Sequence, residues 1–179
     1  MPGKIIFVLG PSGVGKSELS NALAQSLDYE FYEIDQHPAD GIDENDLRRE
    51  WNEFWLYGRP EALVDVLRRR AQAAGKEGIV LGFPSMLILK GAHLGALNGK
   101  IRVVYLTGTE EECRDAFLAR EQNSGRALDV AHWEQNNKAV YEFLKTEEAS
   151  QHCVAAFDGS GVRRKVEAVL ADMGVAACR

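Results

Sequence analysis

The sequence predicts a three-layer α/β/α protein built on a five-stranded parallel sheet. Three observations carry this. Short apolar runs recur between amphipathic stretches along the chain. Each run is short enough to be a parallel strand buried on both faces. The first run, Ile5-Ile6-Phe7-Val8-Leu9, opens directly into the glycine-rich turn Gly10-Pro11-Ser12-Gly13-Val14-Gly15-Lys16-Ser17.

Taken in order, residues 4 to 9 form the first predicted strand and residues 16 to 27 the first helix. Residues 30 to 35 form the second strand, followed by helices over 44 to 56 and 60 to 74. Asp43 is placed to cap the first of these, and Pro60, with its fixed φ, suits the opening turn of the second. The third strand is expected over 78 to 83 and the fourth over 101 to 106, leading to a helix over 109 to 121 capped by Thr109. A helix over 130 to 148, a fifth strand over 152 to 157 and a last helix over 160 to 173 complete the alternation. Residues 41 to 46 and 122 to 128 have the composition of exposed loops, which commonly carry substrate contacts.

A chain of 179 residues, 45% hydrophobic and 27% charged, is expected to form one domain spanning residues 1 to 179. Its net charge of −6 argues against a nucleic-acid partner, because neutralising a phosphate backbone needs clustered Lys and Arg. Cys113, Cys153 and Cys178 are odd in number and widely spaced, with no ligand spacing for a metal, which suits a reduced cytoplasmic compartment. Five apolar residues at the start are too few for a signal peptide or a membrane span. Nothing in the sequence fixes the oligomeric state.

Residues 10 to 17 match the pattern G-x-x-x-x-G-K-[ST] in full, in the strand-to-helix setting the pattern requires. The glycines let the backbone wrap an anion so that successive N–H groups point inward at the mouth of a helix. Lys16 would reach the outer phosphates, and the Ser17 hydroxyl would ligate Mg²⁺. The expected ligand is a nucleoside triphosphate with its magnesium ion, taken as ATP, since nothing in the loop distinguishes ATP from GTP.

Ligands of an open parallel sheet sit beyond the carboxyl ends of the strands, so the residues following each run matter most. The second strand ends with Glu33 and Asp35, which share one face by the period of two. Asp35 is the candidate for organising the metal or accepting the proton of an attacking hydroxyl, although a strand-end Asp is also a common turn former. Gly82-Phe83-Pro84-Ser85 leaves the third strand sharply, offering backbone N–H groups and Ser85 to an acceptor, or simply making a turn. Trp51, Phe54, Trp55 and Tyr57, interleaved with charges up to Arg59, either line an acceptor pocket around residues 36 to 60 or enter the core. Arg120 and Arg126 bracket a loop of about residues 120 to 128 that reads as a mobile lid. Guanidinium groups delivered by such a lid stabilise transferring phosphoryl charge and exclude water; the alternative is a solvated helix end.

With these residues in view, nearly the whole chain resembles the P-loop kinases of small metabolites, the group of shikimate kinases and nucleoside monophosphate kinases. Leu27 to Gln36 resembles the shikimate kinase segment in which an Asp-x-Asp pair ends the second strand, Glu33 standing for the first Asp and Asp35 keeping the second. The resemblance implies the P-loop NTPase fold, an acceptor or metal role for Asp35, and a lid containing Arg120 and Arg126. It also implies that adenine packs near Arg114 and the turn Asp158-Gly159-Ser160. The departures lie on the acceptor side. Gly82-Phe83-Pro84-Ser85 replaces the Gly-Gly-Gly run of shikimate kinases and is similar to the Asp-Gly-Phe-Pro-Arg of adenylate kinases without its Asp or Arg. Asn137, four residues before Tyr141, stands where shikimate kinases carry the arginine that grips the substrate carboxylate. Asp35-Gln36-His37-Pro38 has a fainter similarity to gluconate kinases.

The expected function is transfer of the γ-phosphoryl group of ATP to a small metabolite other than shikimate. A nucleoside or nucleoside monophosphate kinase is the alternative within the class, and a non-catalytic nucleotide-binding sensor the alternative outside it.

Overall fold

The computed structural model describes residues 4–34, 46–124 and 130–175. Five strands run over Lys4–Leu9 (β1), Glu30–Glu33 (β2), Gly78–Gly82 (β3), Arg102–Thr107 (β4) and Cys153–Ala155 (β5). They stand in the order β2-β3-β1-β4-β5, every neighbouring pair parallel. The helices are Lys16–Leu27 (α1), Leu47–Tyr57 (α2), Glu61–Ala73 (α3), Gly91–Ala96 (α4), Glu110–Ser124 (α5), Val130–Leu144 (α6), Glu147–Ser150 (α7) and Val166–Asp172 (α8). A short 3-10 helix covers Ser85–Leu89.

The central strand explains the layering. Alternation sends Ile5, Phe7 and Leu9 into one core, with Ile79, Leu81 and Phe83, and sends Ile6 and Val8 into the other, with Val80, Val104 and Leu106. α1 covers the second face through Leu19, Leu23 and Ala24, joined by Val169 and Leu170 of α8. The first face is covered by Phe54 of α2, by Leu63, Val64 and Leu67 of α3, and by Leu87, Ile88 and Leu94 from the segment after β3. The connection out of β1 and the connection out of its neighbour β3 therefore leave on opposite faces. Such a topological switch opens a crevice beyond the strand ends.

Strands and helices fall close to the expected places, and the differences have local causes. The predicted helix over 160 to 173 begins only at Val166, because the Asp158 carboxylate captures the Ser160 and Val162 amides and Gly161 takes φ +83°. The predicted helix over 130 to 148 breaks after Leu144, and Thr146 starts a fresh turn by accepting from the Ala149 N–H. The helix expected from residue 44 begins at Leu47 with Asp46 at its cap position; Asp43 lies outside the described residues. Pro60 sits at the cap position of α3, one residue before its first turn. Thr109 does cap α5: its Oγ1 accepts from the Glu112 N–H at 3.2 Å while the Glu112 carboxylate accepts from the Thr109 N–H at 2.7 Å. Between Pro84 and Ile101 the chain forms the 3-10 helix and α4, which periodicity had not marked.

Candidate active site

The loop from Gly10 to Ser17 joins β1 to α1 at the mouth of the crevice. Gly13 and Gly15 are compulsory there. Gly13 holds φ +86°, and a Cβ on it would lie 2.0 Å from the Cys113 carbonyl oxygen. Gly15 holds φ +95° at the cap position of α1, and a Cβ would lie 2.5 Å from the Arg163 guanidinium. Left-handed backbone and close approach on the outside leave the loop amides to the inside.

Lys16 bends over this loop, its ammonium donating to the Gly10 and Pro11 carbonyls at 3.0 and 2.9 Å and to the Ser85 Oγ at 3.3 Å. Ser12 Oγ lies 3.4 Å from Ser85 Oγ. The turn after β3 thus meets the phosphate loop, as its place beside β1 requires. Ser85 is brought to Lys16, and Gly82, Phe83 and Pro84 carry it there. Phe83 itself is buried, its ring tilted against Phe7 at 4.1 Å and against Trp51 at 4.6 Å between centroids.

On the β2 side the Ser17 hydroxyl donates to the Glu33 carboxylate. A hydroxyl and a carboxylate converging at the first turn of α1 are hard oxygen donors of the kind that suits Mg²⁺. Glu33 therefore joins Ser17, and its signal was the period-two spacing at the end of the second strand. Asp35 lies outside the described residues, as does Arg126.

Asn137 was not assigned to the site from its sequence, and it proves to be structural to it. It is only 3% exposed, its Oδ1 accepts the Ser12 N–H at 3.0 Å, and its Nδ2 donates to the Trp133 carbonyl at 2.9 Å. Both ends of the amide are spent inside the protein. Beside it, burial pushes the Cys113 thiol up to about 11 and raises the Tyr141 phenol as well, the two groups packing against each other behind the loop.

The remaining candidates make their contacts away from Lys16. Arg59 follows the C-terminus of α2 and rests on the Tyr57 ring at 5.7 Å. Arg114 pairs with Glu134 at 3.4 Å, tying α5 to α6. Arg120 pairs with Glu121 and lies over Phe117, whose ring stacks on Trp133 at 4.6 Å. Asp158 accepts from the Ser160 hydroxyl and from two backbone amides, bonds that hold its carboxyl below the usual range and consume it within its own turn; Gly159 lies within that turn. Trp51 and Trp55 are half-buried against the first core, 5.5 Å apart, and Phe54 is fully buried. The aromatic segment of α2 is thus core and rim together.

No family model matches the chain. Shikimate kinase 1 of Escherichia coli O139:H28 (strain E24377A / ETEC) is 31% identical over 144 residues, which cover 79% of this chain and 77% of that protein. Among solved structures, a tunicamycin resistance protein of Deinococcus radiodurans aligns over 99% of each chain with TM-score 0.57 at 16% identity. Shikimate kinase of Bacteroides thetaiotaomicron aligns over 95% of each chain with TM-score 0.51 at 15% identity. These two structural likenesses speak to the fold.

Proposed function

The chain belongs to the shikimate kinase family of P-loop small-molecule kinases, and from that premise we propose that it transfers the γ-phosphoryl group of ATP to a hydroxyl of a small metabolite other than shikimate. The observation that carries the nucleotide half is the loop itself: Gly13 and Gly15 in left-handed conformations with Lys16 folded over them. The observation that carries the acceptor half is Asn137, buried and bonded at both ends where a shikimate-gripping arginine would stand.

The loop amides and Lys16 hold the β- and γ-phosphates, for which Lys16 exchanges its carbonyl partners. Ser17 and Glu33 hold Mg²⁺, which when bound draws charge from the phosphate oxygens. Asp35 receives the proton of the acceptor hydroxyl as the new O–P bond forms and the bond from the γ-phosphorus to the bridging oxygen breaks, releasing ADP. Ser85, beside Lys16, orients the acceptor. Residues of about 120 to 128, carrying Arg120 and Arg126, close over the transferring group and keep water out. Arg114 and the Asp158 turn flank the base. The cytoplasm supplies ATP, and the free thiols Cys113 and Cys153 suit that compartment.

A coupled ADP-release assay against hydroxylated metabolites, nucleosides and nucleoside monophosphates tests this reading. ADP formed only when one acceptor class is added supports the kinase. ADP formed equally with no acceptor would replace it with slow hydrolysis.

A further inference from the structure

Arg163 stands behind the phosphate loop, on the turn that follows β5, and four contacts converge on its guanidinium. One nitrogen donates to the Gly13 carbonyl at 2.7 Å. Another pairs with the Glu18 carboxylate, in the first turn of α1, at 3.2 Å. The group lies over the Phe157 ring at 5.4 Å and presses against the open side of Gly15, where even a Cβ would be 2.5 Å away. Phe157 is itself pinned, since a Cβ on Gly108 would come within 2.7 Å of its ring.

We infer that Arg163 is a positioning residue of the phosphate loop, acting through the Gly13 carbonyl rather than by touching the nucleotide. The reason lies in peptide geometry. A trans peptide is planar, with C=O and the next N–H pointing in opposite directions. Drawing the Gly13 oxygen outward turns the Val14 N–H inward. There its bond to the Pro11 carbonyl is long, 3.4 Å, so an incoming phosphate oxygen can replace it. A carbonyl left facing the site would instead repel that oxygen. Glu18 and Phe157 hold the guanidinium in place, so the turn after β5 sets the orientation of a loop 150 residues earlier.

This rests on the nucleotide reading above, and the test separates the two. Titration calorimetry is run with wild type, Arg163→Ala and Arg163→Lys, using MgATP and, separately, inorganic tripolyphosphate, which has no base. A charge-assisted bond to the loop is worth about tenfold or more in affinity. Arg163→Ala is expected to lose about tenfold for both ligands, with Arg163→Lys in between and the thermal midpoint recorded for each. Loss for ATP with tripolyphosphate unchanged would mean that Arg163 contacts the base, and would overturn the inference. Unchanged affinity for both would reduce Arg163 to a surface ion pair. Should Arg163→Ala fail to fold, Arg163→Lys must still weaken both ligands, by about threefold, and equality with wild type would overturn the inference. If wild type binds neither ligand, the nucleotide reading fails first and this one with it.

Discussion

The backbone N–H of Ser12 donates to Oδ1 of Asn137 at 3.0 Å, joining the phosphate loop to α6 across 125 residues of sequence. The same side chain satisfies the Trp133 carbonyl. Replacing Asn137 with Ala leaves the part-buried Ser12 N–H without its partner and takes the side-chain donor from the Trp133 carbonyl, which keeps its helical backbone bond, a loss of about 1–3 kcal/mol. Urea denaturation is expected to show a lower midpoint at unchanged slope, the product of shift and slope equalling that loss. No shift would mean that the loop holds its shape without α6.

The meeting of Ser17 with Glu33 gives a metal prediction. Glu33→Gln keeps the shape and removes the charge, so the Mg²⁺ concentration for half-maximal activity is expected to rise several-fold while the activity at saturating metal recovers in part. An unchanged magnesium titration would leave Glu33 as a partner of Ser17 alone.

Asp35 is proposed as proton acceptor, which separates chemistry from binding. Asp35→Asn is expected to lower kcat by roughly 10²- to 10⁴-fold while the dissociation constant for MgATP changes little. Parallel losses in both would make its role structural.

Cys113 and Tyr141 give a pH prediction. Burial raises the Cys113 thiol from 9.0 to about 11, and raises the Tyr141 phenol too, so folding disfavours their charged forms. Groups raised in this way leave stability intact below their unfolded pKa and withdraw it as pH climbs towards the folded value. Stability is therefore expected to fall between about pH 9 and pH 11, with Cys113 accounting for about 2 kcal/mol. Urea midpoints of wild type and Cys113→Ala across that range check it; the alkaline slope should be shallower in the variant.

The sequence revealed what local chemistry dictates. The alternation within Ile5 to Leu9 determined which residues enter each core, and the glycine spacing in residues 10 to 17 determined the shape of the phosphate loop. Glu33 was visible as a strand-end carboxylate. The roles of Asn137 and Arg163 were not visible, because each serves backbone atoms of the phosphate loop more than a hundred residues away, and no pattern within α6 or the turn after β5 records that. Residues 160 to 165 carry the helical spacing that continues into α8, yet the Asp158 side chain, binding the Ser160 and Val162 amides, overrides that periodicity.

The central claim is that residues 10 to 17 grip a nucleoside triphosphate, and calorimetry with MgATP and MgGTP tests it most directly. One site per chain is expected in wild type, with binding weakened and turnover abolished in a folded Lys16→Ala variant. Absence of heat with every purine triphosphate, from protein shown to be folded, would contradict the account.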